Sequence, residues 1–275
     1  MRTAKSLVLW LAIVTLMAGT LQLAVAADTP RVAPVLDRIL AKKELVVGTA
    51  ADMPPLNMTL KDGKIVGMEM DLARMMAGGL DVTLTLKPIR FNDLLPALEA
   101  GQVDLVMSGM TITPARNLKV AFVGPYFASG KSILLKEANA PSLQNSAQMN
   151  KPDVVLAALK GSTSQLFVER LMPNAKLVLT DDYDQAVAMV LDGKAQAMVA
   201  DYPICMVSVY RYRDKALTTL KTPMTYEPIG IALPPNDPLL LNWMQNFLTN
   251  LVNSGELEVL RQRWFNDASW VSELR

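Results

Sequence analysis

The chain has 275 residues, 51% of them hydrophobic, with 27 basic and 26 acidic side chains for a net charge of +1, one cysteine and no histidine. A charge so nearly balanced gives no electrostatic footprint for nucleic acid. The lack of histidine removes Ser-His-Asp and Cys-His catalysis, histidine metal sites and histidine pH switching together, and Cys205 by itself excludes an internal disulfide.

Residues 1–26 have the make-up of a secretory signal. Arg2 and Lys5 form a basic start, residues 7–18 an apolar run, and Ala24-Val25-Ala26 a small-residue cleavage site. No cysteine stands at the end of that run, so export is expected to leave a protein without a lipid anchor in the periplasm. Cleavage removes both basic residues and turns the net charge slightly negative; the remaining length suits one two-lobed unit at ~100–200 residues per domain.

Thereafter strand-like runs alternate with helical patterns, the order a parallel α/β fold requires. Residues 45–49 predict a strand, 69–77 a helix with Met70, Ala73 and Ala77 on one face, and the alternation of Val82, Leu84 and Leu86 a second strand. Met68, Met70, Met75 and Met76 read as adaptable core filler, Pro54-Pro55 and Asp62-Gly63 as loops. A helix over 92–100 ends at Gly101, where a C-terminal cap favours positive φ, and the apolar run 103–107 suits a strand covered on both faces. An apolar strand at 132–136 leaves this first lobe, and the polar stretch 137–151 opens a second. There 154–159, 176–179 and 195–200 predict strands, separated by helices over 164–172 and 183–192. A return strand at 227–233 leads back, followed by amphipathic helices over 239–253 and 257–265 that Gly255 separates. Two crossings imply a two-strand hinge, with 27–130 and 229–275 forming one lobe and 131–228 the other.

One pattern occurs twice with the same spacing: Ala97-Leu98, Gly101, Asp104, Val106 and then Met189-Val190, Gly193, Gln196, Met198. Each reads as helix, glycine cap and strand, and the strands lead to Ser108 and Asp201 respectively.

Loops at the carboxyl ends of such strands are where open α/β sheets bind small ligands. After the strand at 103–107, Ser108, Gly109 and Thr111 offer hydroxyls and closely approachable amides. Thr113-Pro114 reads as the N-cap and first residue of a helix with Arg116 in its first turn, where a cation opposes the helix dipole and calls for an anionic partner. The planar fork of Arg116 suits a carboxylate. Asp201, at the end of an otherwise apolar strand, suits an ammonium. The competing readings are a surface ion pair for Arg116 and an N-cap for a helix at Pro203 for Asp201. As a pair they fit an α-amino acid, which carries both charges on one carbon.

The blocks LEAGQVDLVMSGMTITPAR (98–116), VGPY (123–126), KGST (160–163), LDGKAQAMVAD (191–201) and LEVLRQRWF (257–265) resemble, in order, those of the periplasmic amino-acid-binding proteins that serve ABC importers, extracellular solute-binding protein family 3. The likeness runs from about residue 45 to 265. It implies an α/β, two-lobed periplasmic binding protein fold of type II with the ligand cleft between the lobes. It also implies a monomer without cofactor or metal, which hands an amino acid or related small carboxylate to an ABC transporter permease and performs no reaction. By the same resemblance Ser108 or Gly109 meets the ligand through backbone groups, Thr111 adds a hydroxyl and an amide to the carboxylate, and Arg116 clamps it. Ser162 and Thr163 close over it, Asp201 takes the ammonium and Phe91 covers the ligand side chain. Where the family has an aspartate and then an aromatic residue before Pro-Phe, this chain has Ala50, Met53, Pro55 and Leu56. That departure argues against a cationic ligand and for a neutral or apolar one, with Met53 in the pocket. Periplasmic cyclohexadienyl (arogenate or prephenate) dehydratases are similar too, but they place a glutamate after the lobe-two glycine-threonine loop. Gln165 stands nearest here and cannot donate a proton as an acid would.

Overall fold

The computed structural model describes residues 32–143 and 145–275, so the signal-peptide reading over 1–26 lies outside the described residues. Within them the strands are β1 (Glu44–Thr49), β2 (Asp52–Met53), β3 (Asn57–Thr59), β4 (Ile65–Val66), β5 (Thr83–Pro88), β6 (Leu105–Val106), β7 (Ala121–Ser129), β8 (Lys131–Lys136), β9 (Val155–Leu159), β10 (Lys176–Thr180), β11 (Ala197–Asp201), β12 (Leu217–Thr219) and β13 (Glu227–Leu233). They form two five-stranded sheets, ordered β5-β1-β6-β13-β7 and β10-β9-β11-β8-β12, and a small third one, β2-β3-β4. Both large sheets follow one plan: three parallel neighbours, then two antiparallel strands.

The apolar runs are strands because both faces are covered. Leu45 and Val47 of β1 are fully buried, and the Met68–Gly79 helix lays Met68, Met70, Leu72, Ala73 and Met76 onto the same cluster. Burying one such large side chain contributes about 1.5–3 kcal/mol, so the methionines serve as the core filler expected of them. This cluster continues onto one face of the second sheet through Leu134, Met198 and Ala200. Ile133, Leu135, Leu156 and Val199 build a separate cluster on the opposite face, as the period-two alternation of a strand dictates.

The repeated pattern has a structural meaning. Gly101 and Gly193 both take positive φ, at 66° and 73°. Asp104 accepts the N–H of Val46 at 2.9 Å, and Gln196 accepts that of Val155 at 2.7 Å. Each sheet therefore pins its parallel strand pair with a side chain in the same position, and a carboxylate in one corresponds to an amide in the other.

Two crossings join the sheets, from β7 through Gly130 into β8 and from β12 into β13. They run side by side: Lys131 N–H donates to Thr225 Oγ1 at 2.9 Å, and Met224 N–H donates to the Lys131 carbonyl at 2.7 Å. A Cβ on Gly130 would lie 2.0 Å from the Thr225 carbonyl oxygen, so glycine is what permits this approach.

Several elements differ from the sequence reading. The strand expected over 103–107 is regular only at Leu105–Val106, although Asp104 and Met107 extend its ladder to β1. The polar stretch 137–151 holds a 3₁₀ turn, Glu137–Ser142, and a short helix, Ser146–Met149, capped by Asn145. β7 contains Gly124-Pro125, two residues that argue against a strand in sequence; it is the edge strand of its sheet, where proline is tolerated. A helix at Pro34–Lys42 was not anticipated. Its first amides, those of Val35 and Leu36, donate to Asp237 Oδ2 at 2.9 and 2.8 Å, while Oδ1 accepts from Leu240 in the Pro238–Ser254 helix. One buried carboxylate thus caps two helices distant in sequence.

Candidate functional site

Arg116 lies in the short helix Pro114–Asn117, whose N-cap Thr113 accepts the Arg116 amide at 3.2 Å. Its guanidinium spans the seam between the sheets, donating to the Thr111 carbonyl at 2.8 Å on one side and the Gly161 carbonyl at 3.1 Å on the other. The Phe91 ring lies 5.6 Å beneath it, a cation–π contact of about 0.5–1 kcal/mol. Phe91 also belongs to the apolar core. Burial lowers the pKa of Arg116, while the charges of Asp201 and Glu227 act in the opposite direction. Thr111 and Thr163 meet across the seam, hydroxyl to hydroxyl, at 3.4 Å.

Ser108, Gly109 and Ser162 are brought to the same region with their polar groups already engaged. Ser108 Oγ accepts the Ala50 amide at 2.8 Å. Ser162 Oγ donates to the Leu159 carbonyl at 2.6 Å and caps the Thr163–Leu171 helix through the Gln165 amide. Gly109 donates its N–H to Glu69 at 2.7 Å, and Met53 packs on it so closely that a Cβ there would lie 2.2 Å from the thioether sulfur. Ser108 and Ser162 therefore position the loops with their hydroxyls, and the Gly109 amide is spent on Glu69.

Glu69 was read only as part of a helix. Its carboxylate is fully buried and accepts from the Tyr126 hydroxyl, the Gly109 amide and, at 2.6 Å, the Asn57 amide nitrogen. Burial raises its pKa, and these three donors partly offset the rise. It fixes the loop that carries Ser108 to Thr111, which is also tied to β13 by Gly230 donating to Met110 and Ile112 to Pro228.

Asp201 ends β11 and does not cap the helix that follows, Tyr202–Arg211. Expected as a free acceptor, it instead takes the Lys131 ammonium on Oδ1 at 2.8 Å, with both side chains buried. The antiparallel register places the two residues opposite each other. Nothing in the local sequence around either residue signals this pairing.

An acid outside the sequence reading also reaches the seam. The family's carboxylate is missing at Ala50, but Asp52 supplies one two residues later and is half-buried at the seam. Its Oδ2 accepts the Tyr183 amide of the second sheet's Tyr183–Leu191 helix at 3.1 Å. Burial, with smaller contributions from the charges of Asp182 and Asp184, raises its pKa to about 7. The Tyr183 phenol is itself buried, which pushes its pKa well up, and it feels the charges of both Asp201 and Asp52.

Gln165 is held in place: Oε1 accepts the Gly161 amide and Nε2 donates to Glu169, each at 2.8 Å. A cavity of 460 Å³ lies elsewhere, walled by Phe127, Tyr202, Met206, Trp264 and Trp270, and contains none of the predicted site residues. Among the described residues no group of three or more cysteine, aspartate and glutamate side chains is arranged to hold a metal ion.

Residues 45–267 match the model of the bacterial extracellular solute-binding proteins, family 3. The L-cystine-binding protein TcyJ of Escherichia coli K12 is 25% identical over 233 residues, covering 84% of this chain and 85% of that protein. Among solved structures, the ancestral amino-acid-binding protein AncCDT-1, described as a precursor of cyclohexadienyl dehydratase, is 37% identical with a TM-score of 0.77, covering 84% of this chain and 99% of its own. An ABC-transporter binding component from Wolinella succinogenes DSM 1740, in complex with lysine, is 36% identical with a TM-score of 0.79 over the same shares. The fold is that of the type II periplasmic amino-acid-binding proteins, and the chain belongs to the bacterial extracellular solute-binding proteins of family 3.

Proposed function

We propose that this protein captures an α-amino acid between its two sheets outside the cytoplasm, closes over it and presents it to an ABC transporter permease, working as a monomer and performing no reaction. The observation that carries this reading is Arg116, whose guanidinium bonds both sides of the seam and feels the charge of Asp201. A zwitterion suits the surrounding charges. With one bound, the cations Arg116, Lys131 and the ligand ammonium face the anions Asp201, Glu227 and the ligand carboxylate. In this reading the lobes are 27–130 with 229–275, and 131–228, a division supported by the two crossings between the large sheets. Ligand drives closure through its preference for the closed state, and the second-sheet residues Thr163 and Asp201 would supply that preference. Export through residues 1–26 would place the protein in the periplasm.

Ala50, Met53, Leu56 and Phe91 favour a neutral or apolar ligand side chain. Asp52 favours a second reading, a cationic side chain, because an ammonium or guanidinium beside it would compensate a buried carboxylate. The lysine complex of the Wolinella relative is in keeping with that second reading.

Calorimetry of the exported form against the standard L-amino acids tests the proposal. One chemical class is expected to bind at micromolar affinity or better, about −8 kcal/mol. Arg116→Ala should weaken that binding by ~3–5 kcal/mol, the usual cost of stripping one partner from a buried charge pair. An affinity for the variant within about threefold of wild type, under 1 kcal/mol, would sink the assignment.

A further inference from the structure

Lys131 is 1% exposed, opens β8 directly after the Gly130 crossing, and directs its ammonium at Asp201 Oδ1, 2.8 Å away, with Glu227 Oε2 at 3.7 Å. Its backbone is pinned by Thr225 and Met224 of the other crossing. Glu227 begins the return strand β13 opposite Ser129, so the three charges span both crossings. Arg116, which feels both carboxylates, is the other cation of the group.

This arrangement bears on which ligands the cleft accepts, and the argument rests on the proposed roles of Arg116 and Asp201. A buried carboxylate waiting for a ligand ammonium rejects any ligand without one, because closure would leave it desolvated and unpaired. Here that carboxylate already holds an internal ammonium. We propose that Lys131 widens the ligand class from α-amino acids to matching carboxylates that lack the α-ammonium, by acting as the counter-charge of Asp201 whenever the ligand brings none. With an amino acid bound, Lys131 shares Asp201 with the ligand ammonium and leans on Glu227. With a deamino carboxylate bound, Arg116 holds the carboxylate and the Lys131–Asp201 pair closes unchanged.

The test is calorimetry of the exported form with four pairs of probes: L-leucine and 4-methylpentanoate, L-phenylalanine and 3-phenylpropanoate, L-glutamine and 4-carbamoylbutanoate, L-lysine and 6-aminohexanoate. For whichever amino acid binds, its deamino partner is expected within about tenfold on the wild-type protein, since no buried charge loses its partner. Lys131→Gln should open the gap to about a hundredfold or more by penalising the deamino probe, and Lys131→Arg should keep it narrow. A wild-type gap well beyond tenfold, or a gap that Lys131→Gln leaves unchanged, overturns the proposal. Should Lys131→Gln fail to fold by circular dichroism, the wild-type ratio decides. Amino-acid binding that depends on Arg116 without deamino binding would defeat this inference alone. Amino-acid binding indifferent to Arg116→Ala would defeat the cleft assignment and this inference with it.

Discussion

Asp52 Oδ2 accepts the backbone N–H of Tyr183 at 3.1 Å, a bond from the β2 hairpin on one side of the seam to the first turn of a helix on the other. The bond exists only while the sheets are together, and burial there raises the Asp52 pKa to about 7. In an open cleft the same carboxyl would return towards the ordinary aspartate value near ~4. The closed form therefore holds its proton more tightly than the open form. Closure gains its full proton-linked preference below the open-state pKa and loses it as pH rises through the closed-state value. For a ligand with a neutral side chain, affinity is expected to fall between pH 5 and 7, by at most about tenfold per pH unit, and to level off above 7. Titrations at four pH values check this, and Asp52→Asn should flatten the profile.

Glu69 is held by three donors, the Tyr126 hydroxyl, the Gly109 amide and the Asn57 side-chain amide. Glu69→Ala would leave the Tyr126 hydroxyl, the Gly109 amide and the Asn57 amide without their acceptor. With ~1–3 kcal/mol for each buried group left unpaired, a loss of at least about 3 kcal/mol is expected by denaturant unfolding. The pH sign follows from the same burial. The folded-state pKa is raised, so the stability linked to this proton is present below the unfolded-state value and is lost as pH rises through the folded-state value. Glu69→Gln should remove that part of the pH dependence, visible in unfolding curves at pH 5 and 8.

Asp237 caps the Pro34–Lys42 and Pro238–Ser254 helices at once. A single capping change costs about 0.5–2 kcal/mol, so Asp237→Ala should cost roughly twice that, about 1–4 kcal/mol. Calorimetric melting should show the loss, while ligand affinity, measured well below the melting temperature, should stay within about twofold, under 0.5 kcal/mol.

Gln165 stands where the dehydratase resemblance would place an acid, and its amide is bonded at both ends. The protein is expected to return prephenate and arogenate unchanged, followed by absorbance of the aromatic product. Turnover above the uncatalysed rate that Gln165→Leu abolishes would overturn the binding-only reading. Gln165→Glu tests the converse, whether an acid at this position suffices for turnover.

The sequence by itself determined what local chemistry and periodicity decide. Residues 227–233 form β13 as predicted, Gly255 separates the two C-terminal helices with a φ of 81°, and Thr113 caps the helix of Arg116. The doubled pattern ending at Ser108 and Asp201 was legible because helix, glycine cap and strand are neighbours along the chain. What tertiary structure decided were the partners of buried charges. Lys131 and Asp201 are 70 residues apart and meet through the antiparallel register of β8 and β11. Asp237 joins a helix 202 residues away, and Asp52, whose pKa is raised by burial, accepts a bond from a helix of the other sheet. A charged side chain in sequence shows its reach and sign. Its counter-charge is set by which strands lie side by side, and the cost of leaving it unpaired arises only once the fold has removed water from it.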